Sequence, residues 1–106
     1  MKELSKETRK ALAELLATES EAQEGENFQI AVLDKGFVYV GYCSTDGDTI
    51  RIRKPHNIRK WGTKNGLGEL SLNGPLAGTI LDPCRDITAP YHALIHLMDC
   101  EESQWA

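Results

Sequence analysis

The stretch that decides the fold is FQIAVLDKGFVYVGYC, residues 28–43. Its two halves, Phe28 to Leu33 and Phe37 to Cys43, are rich in Val, Ile, Tyr and Phe, which are residue types that favour strands. Between them, Asp34-Lys35-Gly36 supplies a glycine for the positive φ that tight hairpin loops need. The sequence therefore predicts two antiparallel strands joined by a short loop.

A third strand is predicted from Thr49 to Arg53, where Ile50 and Ile52 alternate with polar residues and so share one face. The segment from Ser44 to Asp48 makes the turn that precedes it. Pro55 is expected to end this strand, because proline has no N–H to donate to a neighbouring strand.

Two shorter strands are predicted further along the chain. Thr79 to Leu81 is expected to be the fourth, stopped by Asp82-Pro83. Residues 92–100, HALIHLMDC, fit a strand or a short helix. We favour a fifth strand, because five strands with one irregular excursion can close a small barrel, whereas four leave exposed edges. The excursion covers residues 54–78 and includes a short helical turn around Leu67 to Leu72.

These elements predict a single domain of the mainly β (α+β) class. It is a small five-stranded antiparallel SH3-like barrel with an N-terminal amphipathic helix and an irregular glycine-rich excursion. The helix, with Ser5 as its N-cap, could cover the open end of the barrel or meet its copy in a second subunit. The predicted boundaries are the helix over residues 1–22, a linker over 23–27, the barrel over 28–100 and a C-terminal tail over 101–106.

Charge is unevenly distributed along the chain. Although the net charge is −4, residues 50–64 hold six Lys or Arg residues and no Asp or Glu. A net acidic protein repels nucleic acid at long range, so one basic stretch favours local anion recognition or docking onto an acidic patch of another copy. The candidate binding residues are Arg51, Arg53, Lys54, His56, Arg59, Lys60, Trp61 and Lys64.

On a strand, Arg51 and Arg53 project from the same face, about 7 Å apart. Two guanidinium groups at that spacing could clamp a phosphate, and Trp61 could stack on a base or pack beneath an Arg. The alternative is that the arginines form the solvated face of an edge strand and that Trp61 is a core residue. The glycines of GTKNGLG, residues 62–68, are better explained by turns than by a phosphate-binding loop, since the Walker pattern is lacking.

Two histidines four residues apart, His92 and His96, raise the question of zinc. On a helix this spacing brings two imidazoles to one metal, but on a strand it separates them by about 13 Å. Because a strand is favoured here, no metal is predicted, and the histidine pair is kept as a weak alternative. No cofactor is predicted either.

No catalytic signature stands out. Ser71 lies in LSL rather than in a GxSxG elbow, and Cys43, Cys84 and Cys100 form no CxxC pair, so they are expected to be reduced thiols. No apolar run approaches the ~18 residues of a membrane helix, and no apolar segment typical of a secretory signal follows the N-terminal charges. The sequence predicts a non-enzymatic protein of the cytoplasm with no membrane partner.

The ordered series DKGFVYVG, NIRKWGT, GLGEL, NGP and TILDP resembles a small family of phage and prophage proteins of unknown function. The resemblance covers roughly residues 28–100 and brings no catalytic residues with it. It implies a viral origin and a small accessory protein that acts in the cytoplasm of a bacterial host. Many small phage proteins of this kind bind host machinery and disarm or redirect it.

The leading functional hypothesis is a non-enzymatic phage-encoded accessory protein, such as an anti-defence protein, that binds and inhibits or redirects a host factor. Opposite charges on one chain would suit head-to-tail contacts, so a homo-oligomer is expected. Two alternatives use the same basic residues: sequestration of an anionic small molecule such as a signalling nucleotide, and direct binding of nucleic acid. An enzyme ranks last, because no combination of base, nucleophile and metal can be assembled.

Overall fold

The computed structural model describes residues 21–105 and is mainly β. The strands are β1 (Asn27–Leu33), β2 (Val38–Asp46), β3 (Thr49–Lys60), β4 (Ile80–Pro83), β5 (Ile87–Pro90) and β6 (Leu94–Asp99), and the α-helix is α1 (Leu67–Asn73). Short 3-10 turns lie at Asp34–Gly36, Tyr91–Ala93 and Glu102–Trp105. The helical turn predicted after the glycine-rich loop is confirmed as α1.

The described strands pair antiparallel in one sheet with the order β4-β3-β2-β1-β6, and β5 also pairs with β3. β5 pairs with the first half of β3 and β4 with the second half, so these two short strands follow each other along one edge of β3. β6 forms the opposite edge, on β1. The predicted hairpin of β1 and β2 is confirmed, and Lys35 and Gly36 in its loop have φ of 61° and 83°.

The prediction that Pro55 ends the third strand is wrong, because a β-bulge accommodates the proline. The register of β3 on β2 shifts by one residue there, so Lys54 and Pro55 together face the single residue Gly41. A bulge interrupts the ladder locally, so the missing N–H of proline costs no hydrogen bond. Lys54 adopts a φ of 51°, and its N–H donates to Oδ1 of Asp86 at 2.9 Å. The strand therefore continues to Lys60.

Because of the bulge, the apolar side chains in the two halves of β3 point to different faces of the sheet. Side chains of a strand alternate between faces, and one inserted residue reverses the alternation beyond it. Two clusters result: the first holds Ala31, Cys43, Ile50 and Ile52, and the second holds Ile30, Val38, Val40, Ile58, Leu67 and Leu70. One long strand thus contributes to a core on each face.

α1 and the C-terminal turn cover the second cluster. Leu67 and Leu70, three residues apart on one side of α1, are buried in it. Trp105 packs edge-on against Phe28, with ring centroids 5.7 Å apart. Residues 101–105 of the expected C-terminal tail are therefore held to the fold, because Trp105 packs on β1 and the N–H of Glu101 donates to the carbonyl of Ser71 in α1 at 2.8 Å. No helix within residues 21–105 is long and apolar enough to span a membrane.

The expected five-stranded SH3-like barrel is not closed. Within residues 21–105, β6 pairs only with β1, while β4 and β5 pair only with β3, so the sheet keeps two edges. The bulge divides the outer edge of β3 into two segments, and each segment pairs with its own short strand. No further strand in the described part of the chain joins β6 to that edge.

The lengths of several elements also differ from the prediction. β5 is an additional strand, which the short, proline-containing sequence ITAP does not reveal. β4 includes Asp82-Pro83, and β2 extends to Asp46. The fifth predicted strand is confirmed as β6, although its first residues form a 3-10 turn. Residues 1–20 of the predicted N-terminal helix lie outside the described residues.

Replacing Gly41 with Ala is expected to destabilise the fold. A Cβ on Gly41 would lie 2.8 Å from Cγ2 of Ile52 and 3.1 Å from Cα of Pro55, so the bulge and β2 would have to separate. Overpacking of this kind costs about 1–3 kcal/mol, which urea denaturation can measure. Gly68→Ala is the matched control: a Cβ there meets nothing within 4 Å. Alanine in a helix is favoured over glycine by about 0.5–1 kcal/mol, so an equal loss in both variants would contradict the packing argument.

Candidate functional site

The predicted basic residues lie together on β3 and in the loop that follows it. Ile50 and Ile52 are fully buried, which places Arg51 and Arg53 on the opposite face of the strand, as predicted. The two arginines differ in their access to solvent, because 55% of the Arg51 side chain is exposed but only 17% of the Arg53 side chain. They therefore do not form an equivalent pair of free cations.

Arg53 takes part in a largely buried ion pair. Its Nε donates to Oε2 of Glu26 at 2.9 Å, and its Nη2 donates to Oε1 at 2.9 Å, so two parallel hydrogen bonds join the groups. The guanidinium also stacks on Tyr42, with Cζ 4.8 Å from the ring centroid. Hydrogen bonding to Arg53 lowers the pKa of Glu26, and the same bond raises the pKa of Arg53. Arg53 therefore stabilises the fold and is not free to bind an anion.

Arg51 and Lys54 are paired in more exposed positions. Nη2 of Arg51 lies 3.2 Å from Oδ2 of Asp86, and its Nη1 donates to Oγ1 of Thr88 at 3.1 Å. Nζ of Lys54 lies 2.8 Å from Oε1 of Glu21. Exposed ion pairs contribute at most about 1 kcal/mol each to stability. Both cations nevertheless have a carboxylate partner in the same chain.

Arg59 is paired in the same way. Its Nε donates to Oδ2 of Asp82 at 2.7 Å across the β3–β4 pair, and this hydrogen bond raises the pKa of Arg59. The partners of Arg51, Arg53, Lys54 and Arg59 all come from outside the basic stretch. Much of the positive charge that the sequence concentrates in residues 50–64 is therefore neutralised by the fold.

Lys60, Trp61 and Lys64 make up what we call the Trp61 surface. Neither lysine forms an ion pair with any residue in the range 21–105. Trp61 is 42% exposed, so the alternative that it is a core residue is wrong. A large aromatic side chain exposed to solvent is typical of a binding surface.

The backbone beneath the Trp61 surface is held by close contacts. Gly62 crosses Gly78 so tightly that a Cβ on Gly62 would lie 2.3 Å from the carbonyl carbon of Gly78. Oγ1 of Thr79 donates to the carbonyl of Trp61 at 2.7 Å and accepts from the N–H of Leu76 at 2.8 Å. Leu76, itself 40% exposed, is thereby anchored beside the loop. Trp61 is thus presented by a well-supported backbone.

The histidines occupy two separate places. His56 is half-buried and lines a pocket together with Tyr42 and Trp105. His92 lies in the turn before β6 and His96 on β6, and both are exposed. Two histidines four residues apart can bind one zinc ion when both lie on the same helix. His92 and His96 do not lie on one helix, so they lack this arrangement. Among residues 21–105, no group of three or more His, Cys, Asp or Glu side chains could hold a metal ion.

The three cysteines are free thiols. Burial raises the pKa of both Cys43 and Cys100 to about 12, which keeps these thiols protonated and unreactive near neutral pH. Cys84 is exposed, and its N–H donates to the carbonyl of Pro55 at 3.2 Å. The backbone of Cys84 therefore helps to hold the bulge.

Comparison of the chain with models of protein families, with curated proteins and with solved structures finds no match. The resemblance to phage and prophage proteins of unknown function stays a prediction.

Sequence reasoning missed the carboxylates that neutralise the basic stretch and the aromatic residues around His56. Glu26, Asp82 and Asp86 lie 27, 23 and 35 residues from their arginine partners, and no local pattern connects them. Trp105 did carry a signal, because an aromatic residue in a polar C-terminal segment is a candidate for packing on the core.

Replacing Glu26 with Gln is expected to destabilise the protein by about 1–3 kcal/mol at neutral pH, because the largely buried Arg53 would lose its charged partner. The pKa of Glu26 is lowered in the fold, so its contribution is fully present above the ordinary value of 4.5 and is lost as the pH falls through the lowered pKa. The difference in unfolding free energy between wild type and variant should therefore narrow in acid. Urea denaturation at neutral pH and at about pH 3 measures this difference.

Asp82→Asn is the matched control, because it breaks the exposed ion pair of Arg59, whose side chains are 62% and 44% exposed. Its cost is expected to be clearly smaller than that of Glu26→Gln, because solvent screens an exposed pair. If Asp82→Asn lowered the unfolding free energy as much as Glu26→Gln, the Arg53–Glu26 pair would not be more stabilising than an exposed pair. An effect of Glu26→Gln that does not change with pH would also contradict the role of this ion pair.

Proposed function

We propose that the chain is a non-enzymatic accessory protein that binds an acidic surface of a host protein through the Trp61 surface and thereby inhibits or redirects that protein. The observation that carries the proposal is a 42% exposed Trp whose flanking lysines in the sequence, Lys60 and Lys64, make no ion pair within residues 21–105. The resemblance to phage and prophage proteins supports a target in the bacterial cytoplasm.

An exposed Trp on a supported backbone is suited to anchor a protein interface. Trp is enriched among the few residues that supply most of the binding energy, because it buries a large apolar area with only two side-chain torsions to order. The contacts of Gly62 and Thr79 reduce the ordering that binding would otherwise require. Lys60 and Lys64 would attract an acidic partner and set its orientation.

Binding of an anionic small molecule or of nucleic acid through the whole basic stretch has less support. Arg51, Arg53 and Arg59 would each have to release a carboxylate before they could hold a phosphate. The net charge of −4 also opposes the approach of nucleic acid. Lys60 and Lys64 by themselves would neutralise few phosphates.

Self-association through the Trp61 surface is a second form of the proposal. The segment after the basic stretch, residues 65–106, holds six Asp or Glu residues and one Arg, so a second copy carries carboxylates that could receive Lys60 and Lys64. A contact between two different patches is heterologous and closes into a ring when its rotation allows.

Static light scattering at low and high salt tests self-association. Oligomers are expected at low salt and are expected to dissociate at high salt, because salt screens exposed charges. The variant Lys60→Glu/Lys64→Glu should be monomeric at low salt. A wild-type protein that is monomeric under both conditions would exclude this form of the proposal.

Capture from bacterial lysate tests the host target. Immobilised wild-type protein should retain a partner that is lost with Trp61→Ala, because truncating an interface anchor costs about 2 kcal/mol or more. Lys60→Glu/Lys64→Glu should lose the same partner. Arg51→Gln is the matched control and should retain it, since Arg51 is already paired with Asp86.

The fold of each variant is checked by its thermal unfolding. Equal capture by the wild type and by a folded Trp61→Ala variant would exclude the Trp61 surface as the docking site. Loss of capture with Arg51→Gln as well would show that the interface extends along β3.

A further inference from the structure

A pocket of about 250 Å³ opens on the face of the sheet that the C-terminal turn covers. Phe28, Tyr42 and Trp105 form aromatic walls, and Val40 and Leu81 add apolar lining. Phe28 packs against both other rings, with centroid distances of 5.2 Å to Tyr42 and 5.7 Å to Trp105. The walls are therefore held in place by mutual packing. A small, mainly apolar pocket of this kind suits a single ring.

Glu21, Lys54 and His56 complete the lining with polar groups. Nζ of Lys54 lies 2.8 Å from Oε1 of Glu21, and this hydrogen bond lowers the pKa of Glu21. The two side chains are 55% and 57% exposed, and ion pairs this open to solvent contribute little to stability. A carboxylate of the chain itself thus occupies the cationic side of the pocket, and another carboxylate can replace it.

The bulge in β3 explains why two basic side chains reach this pocket. Lys54 and His56 lie on either side of Pro55, and both line the pocket with residues of β1, β2 and β4. Lys60, Trp61 and Lys64 are not part of the lining. The pocket is therefore separate from the Trp61 surface.

We propose that this pocket binds a small planar aromatic carboxylate. The ring of the ligand lies among the aromatic walls, and its carboxylate replaces Glu21 at Lys54 and accepts a second hydrogen bond from His56. A neutral imidazole retains one N–H donor, so His56 can fill this role without being charged. A carboxylate is favoured over a phosphate, because the guanidinium groups of Arg51 and Arg53 are held elsewhere and the Glu21 carboxylate already fits at Lys54.

Titration with sodium benzoate tests the proposal on the full chain carrying Trp61→Phe, which leaves Trp105 as the remaining tryptophan. Benzoate is expected to change the Trp105 fluorescence saturably, with a Kd on the order of 1 mM for so small a ligand. Acetate, which lacks the ring, and benzyl alcohol, which lacks the charge, are expected to bind more weakly. Calorimetry with the unsubstituted protein should give the same benzoate affinity.

Substitutions in the Glu21–Lys54 ion pair distinguish binding in this pocket from non-specific apolar binding. Glu21→Gln removes the competing carboxylate and is expected to tighten benzoate binding by up to about fivefold, and Lys54→Gln is expected to weaken it by a similar factor. Glu24→Gln makes the same change of charge at an exposed neighbouring position and should leave the affinity unchanged.

Three results would overturn the proposal. The first is the absence of a saturable change in Trp105 fluorescence with benzoate. The second is benzyl alcohol binding as tightly as benzoate, which would mean that Lys54 and His56 do not recognise the carboxylate of the ligand. The third is an equal effect of Glu21→Gln and Glu24→Gln on benzoate affinity.

Discussion

The bulge of Lys54 and Pro55 against Gly41 is the constraint on which the rest of the structure depends. Because one strand carries one extra residue, the alternation of its side chains reverses, and β3 supplies Ile52 to one hydrophobic cluster and Ile58 to the other. The same irregularity divides the outer edge of β3 between β4 and β5. The open sheet, its two cores and its short edge strands therefore have a common origin.

The bulge also organises the charges. The N–H of Lys54 bonds to Asp86, whose other oxygen pairs with Arg51, so one carboxylate supports both the backbone of the bulge and an arginine beside it. Arg53, just before the bulge, is held by Glu26 and stacked on Tyr42. A stretch with the composition of an anion-binding surface is thus largely occupied by the carboxylates of its own chain. Charge composition alone cannot distinguish these two situations.

Two surfaces remain with properties that fit recognition. The Trp61 surface presents an exposed aromatic side chain, flanked in the sequence by two lysines, on a supported backbone, which is suited to a protein partner. The aromatic pocket is concave and has a cation at its rim, which is suited to a small acid. The two surfaces use different residues, so the two proposed binding activities do not depend on each other.

The sequence by itself determined the elements whose signals are local. The hairpin of β1 and β2, the shared face of Arg51 and Arg53, and the helix at Leu67 follow from residue spacing over a few positions. Only the tertiary structure decided that β3 passes through Pro55, because the neighbouring Gly41 makes the bulge possible, and that the sheet stays open. It also decided which residues of the basic stretch have a carboxylate partner within residues 21–105, since each such partner is 23 or more residues away along the chain. Strand periodicity is a property of neighbouring residues, whereas pairing of charges and closure of a sheet depend on segments that only folding brings together.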